Sequence, residues 1–575
     1  MLTLLSRVSW VIVTVTLLGG CSARSAGETT SSIPAAGEKP SIRVVAGIRG
    51  EPVSLNQAIV SVSGSTPGSE ALAAMVHGGL GMSDHKGILH PQFAEQVPSV
   101  ENGLWRVFPD GRMETTWHIN PQVRWHDGQA FTTDDLVFTA AVYQDDDLPA
   151  FSDPAYRFIE DIQPVDSHTI TVRWKRPFVQ ADDMWSFASF NAPLPLPRHI
   201  LERPYTDSKT SFMDHAYFGE EFVGAGAYRL REFARGIHAV FVANPDYVLG
   251  RPKIDEIEVK FILDGSALVA NLLSGTVEVN LGRGLTVEQA LQVRDQLAGS
   301  HMEMTSGNWI AIYPQHIDAN PAIVTNVQFR QALLYATDRQ ALADTLVYGT
   351  SPVAHSWLPP GDGYYDAVAS SIVRYDYDPS RAVRMIETLG YAKGADGFFR
   401  DAAGQRLSVE LRATQSDINQ KSVVAVADFW TKASVGVDQV SVPSQRAGDI
   451  EYRTTFPAFE LARQPADVTR FKALHSTAIP LPETRFAGEN RMRYTNPELD
   501  ALVDKAFTTI AIRERSDTFA AIVRYLTEHA LPLGMFYDGE PTVWTNRLHN
   551  VTPRSNRSTQ TWNVQTWEVD SQGRL

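Results

Sequence analysis

The chain holds a single cysteine, Cys21, in 575 residues, so no internal disulfide can staple it. Long apolar runs are also missing. The longest, residues 8–18, is well short of the ~20 helical residues that span a bilayer. No block of lysine and arginine is present, and the formal charge is −15, which excludes a nucleic-acid partner. The fifteen histidines are scattered, with no H-E-x-x-H and no cysteine pair, so no metal centre is expected. Asp145-Asp146-Asp147 lacks the glycine and glutamate of a calcium loop. G-x-S-x-G and phosphate loops are absent, and no cofactor is expected. One S-x-x-K stands at Ser83 to Lys86, with Lys209-Thr210-Ser211 near K-T-G. It lies in a glycine-ended turn instead of at a helix start, and S-D-N is missing, so the expectation is that the protein is not an enzyme.

What is present begins with Cys21 itself. Arg7, the apolar run and Leu18-Gly19-Gly20-Cys21 read as a secretory signal over residues 1–20, with small residues at the cleavage point. The pattern resembles a bacterial lipoprotein signal, which implies that Cys21 becomes the acylated first residue of an extracytoplasmic, membrane-anchored protein. Residues 21–40 are rich in Ser, Ala, Gly and Pro and read as a flexible tether. The remaining length exceeds one core and predicts two or three domains. A secreted chain of this size without disulfides relies on its core.

Strand and helix signals alternate throughout, which predicts an α/β or α+β fold. Residues 41–48 read as a strand and residues 70–77 as a helix with Ser69 as N-cap. Residues 80–117 read as a meander of hairpins. Residues 132–142 read as a helix with Asp134 and Asp135 in its first turn, where the helix dipole favours them. Two strands are expected around Ala234-Arg235-Gly236, and a single helix over residues 329–347.

Several blocks carry a family pattern. Trp117-His118-Ile119-Asn120-Pro121 runs through Trp125-His126-Asp127-Gly128 to Thr132-Thr133-Asp134-Asp135 and Phe138, like W-x-L-R-x-G-V-x-W-x-D-G-x-P-x-T-A-x-D-V-x-F. Val223-Gly224-Ala225-Gly226-Ala227-Tyr228 is like V-G-T-G-P-Y, and Leu273-Ser274-Gly275 follows. Farther on come Phe329-Arg330-Gln331-Ala332-Leu333 with Asp338-Arg339, Tyr377-Asp378-Pro379, and Tyr494-Thr495-Asn496-Pro497-Glu498. In this order they resemble the extracellular solute-binding proteins of family 5, the oligopeptide, dipeptide and nickel class of ABC importers. Physically most of these residues read as scaffold: Trp125 and Phe138 pin a strand to a helix, Asp127-Gly128 makes a turn, and Arg330 and Asp338 are surface or capping charges.

The resemblance implies a two-lobed periplasmic-binding-protein-like fold (type II, cluster C) with an extra third domain and discontinuous segments. Lobe I takes 41–62, 205–280 and 532–575; the extra domain takes 63–204; lobe II takes 281–531. Crossings near 280 and 531 form the hinge. It also implies capture of a peptide between the lobes and partnership of a monomer with permease and ATPase subunits. Oligosaccharide, opine or metal chelate are the alternatives, and a signalling receptor or a secreted lipoprotein hydrolase are rivals. Peptide-binding members often carry a G-W-x-x-D segment; here residues 459–467 lack the tryptophan, with Arg463 near its place and Asp467 standing for the amine-pairing aspartate. A guanidinium there would favour a carboxylate ligand. By position, Gly64, Ser65 and Thr66, Gly224 and Ala225, Trp309, Tyr313 and Trp357 are further ligand-binding candidates.

Overall fold

The computed structural model describes residues 41–570 apart from 57, 60–65, 149–150, 152, 189–192, 447 and 556. Cys21, the expected signal and tether, Gly64 and Ser65 lie outside the described residues. Within them, one ten-stranded sheet organises the chain. Its strands are β1 (Arg43–Ile48), β2 (Tyr228–Ala234), β3 (His238–Ala243), β4 (Glu256–Phe261), β5 (Val279–Asn280), β6 (His301–Pro314), β7 (Ser408–Ala413), β8 (Gly436–Ser441), β9 (Phe459–Pro465) and β10 (Leu533–Trp544). The spatial order is β8-β7-β9-β6-β10-β5-β1-β4-β3-β2. β1 lies parallel to β4 and β5, and Val44, Ala46 and Ile48 on it are fully buried, as a strand covered on its faces requires.

β6 and β10 are the long members and join the two halves of the sheet. They pair antiparallel from His301↔Trp544 to Ile312↔Leu533, with breaks in register between Thr305 and Asn308 and between Ile310 and Ala311. At one end β10 is flanked by β5, and at the other β6 is flanked by β9. The strand period of two sorts β6 cleanly. Ile310 and Ile312 enter a core with Phe329, Trp430 and Phe459, while Trp309, Ala311 and Tyr313 enter another with Trp357, Phe471 and Phe519.

A separate antiparallel sheet of Trp105–Val107, Met113–His118, Thr169–Trp174 and Ile159–Asp166 shares a core with the helix Thr133–Tyr143. The Trp125-to-Asp135 block has a structural explanation. Asp135 accepts from Trp125 Nε1 at 3.2 Å, from Thr132 N at 3.0 Å and from Arg198 N at 2.9 Å. Asp127 closes an Asx turn onto Gln129 N, and Gly128 takes the left-handed conformation, φ 90°.

Three expectations need correction. The helix over residues 329–347 is two helices, Val327–Ala336 and Arg339–Leu346, because Asp338 caps the second by accepting from Ala341 N. Ser69 is the first helical residue and Gly68, at φ 99°, precedes it. Arg330 is no surface charge: only 1% exposed, it donates to the carbonyls of His529, Ala530 and Val324. It thereby satisfies helix-end carbonyls that lack intrahelical partners.

Candidate ligand-binding site

Trp309 and Tyr313 lie four residues apart on one face of β6, and the loop residue Trp357 packs against both, with ring centroids 5.1 and 6.4 Å away. Phe471 meets Trp357 edge-on at 6.1 Å, and Trp357 Nε1 donates to Pro465 O at 3.2 Å. The structure therefore brings these three predicted aromatics together. They are largely core, with Trp309, Tyr313 and Trp357 only 2, 3 and 6% exposed. Along their edge runs a recess lined by Tyr313, Trp357, Gln464, Arg470, Glu489 and Arg491.

Arg463 sits on the adjoining strand, but its guanidinium is committed to the protein. It donates to Asp538 and, at 2.8 Å, to Glu540. Glu540 also pairs with Arg554 and lies 3.9 Å from Arg283, and Arg554 reaches Glu70. Burial alone would raise the Glu540 pKa, but Arg554, Arg463 and Arg283 outweigh it and bring it down to about 2. Burial dominates at Glu70, whose pKa is raised. This knot lies at the register break of β6 and β10, so the expected carboxylate-binding arginine faces two protein carboxylates there.

Gly224 and Ala225 also face protein. A Cβ on Gly224 would stand 1.9 Å from Val76 O, and Gly224 N donates to His126 Nδ1 at 3.3 Å. The glycine permits close approach of two backbones, so the close contact expected for a ligand is made by the end of the helix Ser69–Val76. Ala225 is buried in the same packing. Thr66 Oγ1 donates to Glu51 O at 2.9 Å.

Asp467 is placed differently. It is the N-cap of the 3-10 helix Val468–Leu474 and accepts from Thr469 N at 2.8 Å. Its carboxylate interacts electrostatically with Asp362 and with Arg557, which belongs to the C-terminal segment. Arg557 Nη2 grips Asp183 at 2.7 and 2.5 Å, and its Nε donates to Ala188 O at 3.2 Å. Lys472, on the same 3-10 helix, donates to Gln180 at 2.6 Å and lies over the rings of Phe178 and Phe507. Asp153 and Asp183 attract it as well. Arg515 donates to Tyr364 Oη at 3.1 Å and faces Asp182. Residues from the 150s, the 180s, 362–364, 467–472, 515 and 557 thus meet in one seam.

The seam gathers five aspartates. Asp153, Asp182, Asp183, Asp362 and Asp467 face Arg515, Arg557 and Lys472. Burial, reinforced by the like charge of Asp183, holds the Asp182 carboxyl well above its ordinary range. Burial pushes Asp362 up to about 6, and the neighbouring Asp467 adds to this. Apart from Asp467, none of these residues stands in a pattern legible in the sequence. Asp182-Asp183 and Arg557 carry no spacing cue, because the contacts joining them cross hundreds of residues.

The rival chemistry finds no support in the geometry. Ser83 is fully buried in the strand Gly81–Ser83, paired with Leu89, and Lys86 is exposed in the following turn. Among the described residues no group of His, Cys, Asp and Glu could hold a metal ion, and no helix is long and apolar enough to cross a membrane.

Comparison with known proteins agrees with the fold. Residues 91–469 match the model of the bacterial extracellular solute-binding proteins, family 5 Middle. The oligopeptide-binding protein AppA of Bacillus subtilis is 21% identical, with 98% of each chain covered. The structure of the periplasmic oligopeptide-binding protein of Thermotoga maritima superposes with a TM-score of 0.74 at 18% identity, covering 93% of this chain and 100% of that one. NikZ from Campylobacter jejuni, in complex with Ni(L-His), gives a TM-score of 0.69 at 21% identity, covering 92% of this chain and 100% of that one.

Proposed function

The chain belongs to the bacterial extracellular solute-binding proteins of family 5, and we propose that it is the capture subunit of an ABC importer, taking peptides between two lobes and delivering them to a membrane permease. The observation that carries this reading is the seam at Asp467. Its aspartates outnumber its cations, and Asp182 and Asp362 have raised pKa values. A peptide's terminal ammonium suits so acidic a seam, with Asp467 beside it. The B. subtilis and T. maritima relatives, both named for oligopeptide binding, support the same ligand class.

Lobe I takes 41–62, 205–280 and 532–575, the extra domain 63–204, and lobe II 281–531. We assign the hinge to residues 305–308 and 538–540, where β6 and β10 lose register between the half-sheets. Ligand touching both sides of the seam favours the closed arrangement over an open one by its differential contacts. Cys21 carries the lipid anchor, and residues 21–40 tether the receptor, a monomer, close to its permease and ATPase subunits, which raises its effective concentration there. The protein captures its solute without chemical turnover. The test is to incubate the purified protein with a defined peptide mixture and identify what it retains by mass spectrometry. Intact bound peptides support the reading; fragments accumulating in solution, or no peptide retained, overturn it.

A further inference from the structure

One core runs through residues 44–281 and 544–569. Among the described residues from 282 to 543, a single apolar side chain packs against it, that of Ile510. Ile510 lies in the turn between the helices Pro497–Thr508 and Ile512–Glu528. Those helices fill a core of their own with Leu499, Val503, Phe519 and Ile522, and Ile510 takes no part in it. It is half-buried, and the apolar surface that covers it belongs to the other side of the molecule.

A cation stands beside this contact. Lys472, on the 3-10 helix Val468–Leu474, donates to Gln180 at 2.6 Å. Its ammonium lies 5.4 Å from the centre of the Phe178 ring and 4.8 Å from that of Phe507. Phe178 belongs to the first core, stacked on Phe158 at 4.9 Å and on Trp174 at 5.3 Å, while Phe507 packs against the second. An ammonium over the faces of two rings is attracted to both. Asp153 and Asp183 attract it as well, and Arg557 fixes Asp183 by a bidentate grip. In sequence, Ile510 stands between Phe507, which shares Lys472 with Phe178, and Arg515, which faces Asp182. The stretch 507–515 thus meets the stretch 178–183 at both of its ends.

We propose that Ile510 and Lys472 are positioning residues that form a latch, holding lobe II on the extra domain when no solute is bound. The latch rests on the two-lobed reading above, in which 281–531 swings relative to 63–204. Opening lifts Ile510 off an apolar surface and draws Lys472 from between its rings; closing restores both without any contact to solute. Lys472 is exposed, so its share is small beside the stability of the fold. A small bias suffices to shift the balance between two arrangements of similar energy. A solute that needs the closed form binds with its intrinsic dissociation constant divided by the closed fraction. Loss of the latch therefore weakens every solute by one common factor and leaves selectivity unaltered, which no residue in contact with solute does.

The test combines small-angle X-ray scattering of the ligand-free full chain with calorimetric titration by Ala-Ala-Ala, Ala-Phe-Ala and Ala-Lys-Ala. Ile510→Ser removes the apolar contact, and Lys472→Met removes the ammonium while keeping the stem between the rings. Without ligand, the double variant has a larger radius of gyration than wild type, each single variant shows part of that shift, and Ile510→Val scatters like wild type. The double variant binds all three peptides about fivefold or more weakly, by the same factor, and I510V binds them as wild type does. Ligand-free scattering of the double variant that matches wild type overturns the latch. So does a loss of affinity that differs among the three peptides, which would place these residues on the solute. Failure of all three peptides to bind wild type counts against peptide capture, and the ligand-free scattering then decides the latch by itself.

Discussion

Arg463 and Glu540 meet 2.8 Å apart where the strands joining the two half-sheets lose register. Their side chains are 19 and 5% exposed, and Arg554 reaches the same carboxylate from the C-terminal segment. Glu540→Gln leaves Arg463, Arg554 and Arg283 without their shared countercharge. Removing one member of a buried ionic cluster costs about 3–5 kcal/mol, so the denaturation midpoint of E540Q falls by a corresponding amount. A midpoint within experimental error of wild type contradicts a structural role for the knot. The cluster also predicts acid sensitivity. Glu540 is held at about 2 in place of its usual 4.5, so its contribution is complete above pH 4.5 and is lost as pH falls from there towards 2. The amount at stake is about 3 kcal/mol, and E540Q loses that part of the pH dependence.

Asp467 provides a cleaner probe of the seam. Asn caps a helix about as well as Asp, so Asp467→Asn keeps the bond to Thr469 N while removing the charge. Affinity for peptides with a free amine drops at least tenfold, with thermal stability changed by less than about 1 kcal/mol. N-acetylated peptides, already lacking the charge, bind wild type and D467N alike. Equal loss for both kinds of peptide would show that the residue acts through the fold.

Asp362 makes binding pH-dependent. Burial places its carboxyl at about 6, so it is mostly ionised at pH 7 and mostly protonated at pH 5. An ammonium that needs the ionised form binds about tenfold more weakly at pH 5 than at pH 7. At pH 6 its binding releases a fraction of a proton, visible in calorimetry as a dependence on buffer ionisation enthalpy. The sign for folding is opposite: the ligand-free protein loses stability as pH rises from about 4 towards 6, because the fold favours the protonated form. Asp362→Asn removes both effects; an unchanged pH profile in D362N sinks this assignment.

Gly224→Ala tests the scaffold reading of the second family block. The added Cβ would meet Val76 O at 1.9 Å and the Phe222 ring at 3.1 Å. Relief requires the backbone to move away from Val76, which costs about 1–3 kcal/mol. Thermal melting then shows a lower midpoint, while peptide affinity at a temperature where the variant is folded stays at the wild-type value. Lost affinity in a fully folded variant would return Gly224 to the cleft.

The scaffold was legible where the relevant chemistry is local. Asp127-Gly128 and the first-turn acids of the helix Thr133–Tyr143 act within a few residues, and their spacing showed it. Asp467 was visible as the end of an altered motif, and it lies in the seam. Asp338 read as a surface or capping charge and is a cap, but the helix break it makes was missed because a cap inside an apolar periodic run does not interrupt the period. Arg330 was misread because nothing in a helical segment reveals that carbonyls some 200 residues away await a donor. The same limit hid Asp182, Asp362 and Arg557, which are brought together by topology alone. Arg463 was marked as a ligand-binding candidate, but the carboxylates it holds lie on β10, seventy-five or more residues downstream.

The central claim is that the protein captures a peptide and leaves it intact. Native mass spectrometry of the protein purified from its own host measures this most directly. The account predicts additional mass that is released on denaturation and sequences as one or more intact peptides with free amines. A sugar, an opine or a metal chelate in that position would contradict it.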